Sequence, residues 1–426
     1  MLETGQQISL TIDRPAHGGR MIGRHEGQVV LVRGAIPGER VMASIERVER
    51  RLAFGTVVGV LEPSPDRRPG QRDPRCGGCL FSHIAYPRQL TIKSEIAVDA
   101  FSRLGRVPLE APVAVAASPE HGYRMRARFH VRGGRAGFYR EGTHEICDAG
   151  PTGQLTTAAV AAAESAVASL REDGLEPLGL ELTENLEGSA RVAAIELTGE
   201  VPCDSAVRHV LDRSGLAGCT VRCADREAAV AGTPAVSDEL GALTRGRAGG
   251  GTLSRHAESF FQANRYLLPD LAAAVLDAVP DAGEVLDLYA GVGLFSVSLA
   301  GAGRRRITAV EGDRSSGADL RRNAAQFGRV IRVVLRAVED YLRSLSRPLD
   351  GTLIVDPPRT GISKEAMQAA LRIRASRVVY VSCDPATMAR DARRLLDAGY
   401  VLQSLRGFDL FPNTPHVELL GVFVRG

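Results

Sequence analysis

Apolar and polar positions alternate in short runs through the first sixty or so residues of the chain. The runs cover residues 8–12, 28–32, 40–45 and 53–61, with turn residues between them. Alternation of this kind predicts strands that bury one face, and short strands joined by tight turns predict a small β-barrel of about five strands. Barrels of this size include oligonucleotide-binding modules and purely structural ones, and the pattern does not choose between them.

The middle of the chain mixes loop, helical and extended patterns. Residues 63–74 are rich in proline, arginine and aspartate, which predicts a linker or exposed loop, and residues 88–104 have the spacing of an amphipathic helix. Within residues 123–140, Arg124 and Arg126 alternate with apolar residues ahead of a Gly-Gly turn, which predicts a hairpin with guanidinium groups on one face. Arginines interleaved with aromatic rings suit an RNA surface, although a solvated strand face fits the same pattern.

From about residue 260 onward, helical and strand patterns alternate, which predicts a doubly wound parallel sheet. Its buried strands are predicted at residues 284–288, 307–310, 352–355 and 378–381. Ligands of such sheets bind at the carboxyl ends of the strands, so the residues that follow these runs should share one crevice. The fold class is therefore α/β with a small β-barrel, a central α+β region and a Rossmann-like domain, at residues 1–62, 63–250 and 251–426.

Cys383 is the residue in this crevice that is best placed to act as a nucleophile. It follows the last predicted strand and precedes Asp384-Pro385, an N-cap residue with proline at the first helical position. The partial positive charge of a helix N-terminus favours the thiolate, which is the reactive form of cysteine. The alternative is a small, buried and inert cysteine at a strand end.

A glycine turn and a carboxylate point to an adenosine-containing cofactor. Gly291 lies in the tight turn after the first predicted strand, and Glu311 ends the second strand about twenty residues later, where a carboxylate can accept the ribose hydroxyls. Nicotinamide-dependent dehydrogenases have similar turns, so the turn alone leaves that class open. The third predicted strand ends in Asp356, which is either a strand-end cap or part of a rigid active-site turn with the two prolines after it.

Composition narrows the setting. A chain of 426 residues predicts two or three domains, and its net charge of +3 does not by itself argue for a nucleic-acid partner. No apolar run approaches the ~20 residues of a membrane span and no signal peptide is recognisable, so we expect a cytoplasmic protein with no membrane partner. Cys76 and Cys79 form a C-x-x-C pair, which predicts a metal site, an iron–sulfur cluster or a redox pair.

Several motifs together resemble one family, the RNA uracil-C5 methyltransferases, which use S-adenosylmethionine. They are DLYAGVG at 287–293, VDPPRTG at 355–361, VSCDPATMARD at 381–391, HVE at 416–418 and FFQAN at 260–264. Residues 6–62 resemble the TRAM barrel of the same family, so the likeness runs through nearly the whole chain. It implies that the C-terminal sheet is a class I methyltransferase domain.

The resemblance also implies roles for individual residues. Cys383 would be the nucleophile and Glu418 the base, whereas from the residues alone Glu418 could be a surface carboxylate on the last hairpin. The implied cofactor-binding residues are Gln262, Tyr289, Gly291, Glu311 and Asp356. The implied RNA-binding residues are Phe260, Gln262, Asp356, Arg359, Arg124 and Arg126. The substrate would be a uridine in a single-stranded region or loop of tRNA or ribosomal RNA, and no obligate protein partner is inferred.

Two departures from the family pattern matter. Asp384 stands where the family usually has asparagine, and a carboxylate beside a thiolate raises the pKa of the thiol unless the helix end or an arginine offsets it. Cluster-bearing members have four cysteines, whereas here only Cys76 and Cys79 match and Cys147 lies three residues early, which argues against a [4Fe–4S] cluster. These departures motivate the alternative function, an RNA-binding or RNA-folding protein that kept the fold and lost efficient catalysis.

Overall fold

The structure, a computed structural model, describes residues 2–69, 73–199, 204–223 and 229–426. The strands are β1 Gln7–Pro15, β2 Met21–His25, β3 Gln28–Arg33, β4 Arg40–Glu49, β5 Leu52–Glu62, β6 Val115–Ala116, β7 Arg126–Arg132, β8 Arg135–Tyr139, β9 Ile146–Asp148, β10 Glu176–Glu184, β11 Arg191–Thr198, β12 Gly218–Cys223, β13 Ala229–Gly232, β14 Ala235–Glu239, β15 Thr252–His256, β16 Glu284–Leu288, β17 Ile307–Glu311, β18 Ile331–Leu335, β19 Gly351–Val355, β20 Arg377–Ser382, β21 Tyr400–Phe408 and β22 Glu418–Arg425. The α-helices are α1 Tyr86–Ala100, α2 Thr157–Glu172, α3 Asp204–Ser214, α4 Leu240–Leu243, α5 Leu268–Ala278, α6 Leu294–Gly301, α7 Arg314–Ala325, α8 Val338–Ser344, α9 Lys364–Arg372 and α10 Pro385–Asp397.

The N-terminal strands close into a barrel with the order β1-β2-β3-β5-β4. Alternate side chains of β1 point into its core, including Ile8, Leu10 and Ile12, as the sequence pattern predicts. The prediction of a five-stranded barrel is confirmed. Part of the predicted linker at 63–74 lies outside the described residues. In the described part, Arg67 pairs with Glu39, so the segment is packed onto the barrel.

The central region contains a seven-stranded sheet with the order β13-β12-β11-β10-β7-β8-β9. One face of this sheet forms a hydrophobic core with α2 and α3. The predicted hairpin is present as β7 and β8, which are joined by a turn at Gly133 and Gly134, both with positive φ. The opposite face of β7 and β10 carries charged side chains.

The C-terminal sheet has eight strands in the order β18-β17-β16-β19-β20-β22-β21-β6. Hydrophobic clusters cover both of its faces, which confirms a doubly wound α/β domain. The last hairpin makes the sheet mixed, because β22 runs antiparallel to both β20 and β21. β18 is absent from the sequence-based prediction. It is an edge strand in which only Ile331 is buried, so its hydrophobic signal is weak.

The central and C-terminal parts of the chain are joined through α1 and β6. The short strand β6 pairs with β21 at the edge of the third sheet, and Ala97, Ala100 and Phe101 contribute to the core on one face of that sheet. A strand of the C-terminal sheet, β6, therefore precedes all strands of the central sheet in the chain. The predicted division at residues 62 and 250 stays a prediction.

Candidate active site

Four predicted site residues lie at the same edge of the C-terminal sheet. The parallel strands β16, β17, β19 and β20 run in the same direction, so their carboxyl ends share one edge. The residues at these ends are Gly291, Glu311, Asp356 and Cys383. This placement follows directly from the parallel pairing and matches the predicted crevice.

The glycine turn after β16 has the shape of a nucleotide-binding turn. Tyr289 has a φ of +59° and Gly291 a φ of +57°, so the backbone turns sharply ahead of α6. The Gly291 N–H donates a 2.7 Å hydrogen bond to Oε2 of Glu311. A Cβ atom built on Gly291 would have no atom within 4 Å. The turn therefore faces open space beside a carboxylate, an arrangement that fits the ribose and amino-acid parts of an adenosine cofactor.

Cys383 lies between β20 and α10 and is half-buried. Its neighbour Asp384 caps α10, because its carboxylate accepts a 2.7 Å hydrogen bond from the Thr387 N–H. Burial, and then the nearby Glu418, raise the pKa of the Cys383 thiol to about 12, although the Arg359 guanidinium acts to lower it. Burial therefore opposes the effect of the helix N-terminus, which favours the thiolate.

Alkylation of Cys383 should show this raised pKa. We expect the rate with iodoacetamide to rise about tenfold per pH unit between pH 7 and pH 10 without reaching a plateau, since only the thiolate reacts. Peptide mass spectrometry on Cys383 would measure it, with circular dichroism to check that the protein remains folded. A plateau below pH 8 would show instead that the thiol is activated in the free protein.

Glu418 and Asp356 face the same site as Cys383. Glu418 begins β22, is only 2 % exposed, and has a side-chain oxygen, Oε1, with no hydrogen-bond partner within the described residues. Burial and the nearby Asp356 raise its pKa well above the usual range, while Arg359 acts to lower it. Burial also raises the pKa of Asp356 to about 7. Glu418 is therefore not a surface carboxylate, and a buried carboxyl group beside a cysteine is equipped for proton transfer.

Two side chains of the FFQAN segment, Gln262 and Asn264, have different contacts. Gln262 points toward the site, with its Nε2 3.5 Å from Oδ2 of Asp356. Asn264 is fully buried, and its Nδ2 donates to Ser118 Oγ and to the Leu410 carbonyl at 2.9 and 3.0 Å. Asn264 thus supports the loop between β21 and β22, a role that sequence reasoning missed.

Asp287 is a second residue that sequence reasoning missed. It is completely buried in β16, and its Oδ2 accepts a 3.1 Å hydrogen bond from the Ser296 N–H at the start of α6. Burial raises its pKa to about 7. An aspartate inside an otherwise apolar strand was the signal that could have identified it, because such residues are rare without a specific partner. Its bond to α6 holds the glycine turn against the sheet.

Two of the predicted RNA-binding residues, Phe260 and Arg126, lie beside each other. Phe260 is 61 % exposed, and the Arg126 guanidinium lies 5.3 Å from its ring centroid. Arg126 also pairs with Glu181 at 2.7 Å, and Arg124 donates to Oε1 of Gln154 at 2.7 Å. Both arginines are partly buried and held in place, so they do not form an ordinary solvated strand face. Whether they contact RNA stays a prediction.

In the structure one cysteine of the C-x-x-C pair takes part in a disulfide. Cys76 is joined to Cys147 by a disulfide, and Cys79 is buried nearby. A sulfur bonded to another sulfur cannot ligate iron, and among the residues that the structure describes no group of three or more side chains could hold a metal ion. The residues present therefore do not fit a [4Fe–4S] cluster, and the assignment of Cys76 and Cys79 as iron–sulfur ligands is not supported.

In the described ranges, none of the helices combines the length and the apolar character that crossing a membrane requires.

Comparison with known proteins identifies the family. The sequence profile described as tRNA (Uracil-5-)-methyltransferase matches residues 252–425, and the TRAM domain profile matches residues 2–58. An uncharacterized RNA methyltransferase of Streptomyces coelicolor is 33% identical over 451 residues, which is 98% of this chain and 93% of the relative. The 23S rRNA (uracil(1939)-C(5))-methyltransferase RlmD of Pseudomonas putida is 31% identical over 447 residues, covering 99% and 94% of the two chains.

A solved structure shows the same fold. The tRNA (uracil-54, C5)-methyltransferase of Pyrococcus abyssi, crystallised with S-adenosyl-L-homocysteine, superposes with a TM-score of 0.77 at 22% identity. The match covers 97% of this chain and 99% of the archaeal one, so it includes the barrel, the central region and the C-terminal domain. Together with the sequence relatives, the shared architecture shows that this chain belongs to the RNA uracil-C5 methyltransferase family.

Proposed function

We propose that this protein transfers a methyl group from S-adenosylmethionine to C5 of a uridine in RNA, through a temporary bond between Cys383 Sγ and C6 of the base. The observation that carries the proposal is the grouping of Cys383 with the buried carboxyl group of Glu418 at the carboxyl edge of the sheet. Family membership supports the reaction, and this grouping supports the route.

The chemistry of uracil explains why both groups are needed. C5 is a poor nucleophile until a thiolate adds to C6, which moves electron density onto C5 and the O4 carbonyl. C5 then attacks the electrophilic methyl group and afterwards carries both the methyl group and its original proton. A base removes that proton, the C5–C6 double bond re-forms, and the C6–S bond breaks to release the thiolate.

Residues of this chain suit each of these steps. Arg359 lies close enough to interact with Cys383 by a hydrogen bond and by charge, and both effects lower the pKa of the thiol. Glu418 carries a carboxyl group whose pKa is raised, so its ionised form takes a proton readily. Its Oε1 is buried and has no hydrogen-bond partner within the described residues. Burial limits the access of water, which would otherwise compete for the proton.

The cofactor site lies over the glycine turn. Gln262, Tyr289, Gly291, Glu311 and Asp356 would hold S-adenosylmethionine, with Glu311 accepting hydrogen bonds from the ribose hydroxyls. When bound, the cofactor supplies the electrophilic methyl group. In the free protein Glu311 already accepts the Gly291 N–H, so its carboxylate is held in place before a ligand arrives.

The substrate is an unstacked uridine. A base inside a duplex cannot bring C6 to a half-buried cysteine, so we expect a single-stranded or loop nucleotide of tRNA or ribosomal RNA. The exposed ring of Phe260 beside Arg126 offers a stacking surface with a fixed positive charge for a neighbouring nucleotide. Both RNA classes occur among the similar proteins named above, so the test includes both.

Trapping with 5-fluorouridine would test the proposal. Fluorine at C5 cannot leave as a proton, so we expect S-adenosylmethionine plus a fluorouridine-containing transcript to give an RNA–protein complex that survives denaturation. The complex should be absent with Cys383→Ala and should form normally with Cys219→Ala, which changes a buried cysteine of the central sheet. Gel electrophoresis with tRNA and ribosomal RNA transcripts would measure it and identify the RNA class.

Two results would contradict the proposal. A complex that persists in Cys383→Ala would assign the bond to another residue. No complex with either RNA, while calorimetry shows that S-adenosylmethionine binds, would favour a non-catalytic RNA-binding protein.

A further inference from the structure

A loop of the barrel contacts the segments that carry the two proposed catalytic residues. His17 lies between β1 and β2, and its Nε2 is 3.3 Å from Oδ2 of Asp384, the neighbour of Cys383. Two residues later, Gly19 packs on Pro415, so closely that a Cβ on Gly19 would lie 2.8 Å from the proline Cγ. Pro415 precedes Glu418 by three residues, so the barrel touches both sides of the active site.

The contact places a cation beside the carboxylate of Asp384. One carboxylate oxygen of Asp384 caps α10 through the Thr387 N–H, a task that asparagine could perform without charge. Asp384 directly follows Cys383 in the chain, and Cys383 already faces two buried carboxyl groups, Glu418 and Asp356. A thiolate formed at Cys383 adds a further negative charge. A cation beside Asp384 offsets the charge of the Asp384 carboxylate and so makes the thiolate less unfavourable.

We propose that His17 is a positioning residue for methyl transfer: as a cation it neutralises Asp384 and holds the turn that presents Cys383. The inference rests on the proposed function, because it assumes that Cys383 must form a thiolate. The barrel then has a role in the chemistry as well as any role in RNA binding.

The charges around His17 agree with this role. Although burial acts to raise it, the hydrogen bond from His17 holds the pKa of Asp384 at about 2. The same bond raises the pKa of His17 above its usual value, so the imidazolium persists toward neutral pH. The charge is lost as the pH rises through this raised pKa. His416 lies close enough to feel the charge of His17, and burial and Arg359 lower the pKa of His416 to about 4, so it is neutral. Cys383 itself faces Glu418, Arg359 and Asp356.

A double-mutant cycle of His17→Gln and Asp384→Asn would test the proposal. With Asp384 present, His17→Gln should lower kcat for methyl transfer roughly tenfold and move the Cys383 alkylation profile toward higher pH, since one pKa unit is a tenfold change in thiolate. With Asp384→Asn present, the same substitution should change neither quantity. His17→Lys should restore much of the rate and extend it to more alkaline pH, because lysine keeps its charge there.

The pair is partly exposed, so the variants should fold, as a thermal melt would check. An equal loss of rate in both backgrounds, or no loss in either, would overturn the proposal. The trapping experiment separates this failure from that of the proposed function. A wild-type protein that forms the fluorouridine complex while His17→Gln behaves normally would refute the role of His17 alone.

Discussion

Glu418→Gln should convert the protein from a catalyst into a trap for its own substrate. Glutamine has nearly the same size as glutamate but cannot take the C5 proton, so methyl transfer should occur while the C6–S bond fails to break. Multiple-turnover methylation should fall about 10²- to 10⁴-fold, the usual contribution of a general base. A complex carrying the methyl group should accumulate with ordinary uridine RNA, without fluorine.

Tritium from the labelled methyl group of S-adenosylmethionine, found in a denaturation-resistant complex on a gel, would measure this effect. Glu365→Gln is the matched control, because Glu365 is exposed at the start of α9 and should leave turnover unchanged. Unchanged turnover in Glu418→Gln would remove Glu418 from the mechanism. Loss of both methyl transfer and the complex would place its role before the methyl step instead.

Replacing Lys93 should strongly destabilise the fold. Lys93 lies on α1 with its side chain completely buried, and its ammonium group pairs with the equally buried Asp409 and donates to the Phe411 carbonyl. Lys93→Ala leaves Asp409 buried without its cation, which costs about 3 to 5 kcal/mol. The thermal transition should therefore move down by several degrees, as calorimetry would measure. Since Asp409 begins the loop that leads to Glu418, activity should fall with it.

The other lysine of the chain provides the control. Lys364 is exposed at the start of α9, so Lys364→Ala should leave the melting temperature nearly unchanged. The double variant Lys93→Met with Asp409→Leu removes both charges and should recover much of the lost stability, because no unpaired charge remains. Equal melting temperatures for Lys93→Ala and the wild type would show that the buried pair contributes little.

Local sequence patterns predicted the strands and helices whose apolar pattern extends over several residues. The apolar run Val378–Val381 predicted a buried strand, and Asp384-Pro385 predicted the start of α10, where the structure places both. Parallel strand order then predicted that Gly291, Glu311 and Cys383 would share an edge. The edge strand β18 was missed because it buries too few side chains to leave a periodic signal.

The sequence alone determined the strand ends and the glycine turn, because each depends on neighbours within a few residues, and motifs spread along the chain singled out Cys383 as the nucleophile candidate. Only the tertiary structure decided the chemical state of the site. The pKa of Cys383 depends on burial and on Glu418 and Arg359, which lie in other segments of the chain, and Asp384 pairs with His17 of the barrel. The burial of Cys383 and the pairing of Asp384 depend on residues far apart in the chain. A single sequence does not show which of these residues are in contact in the fold.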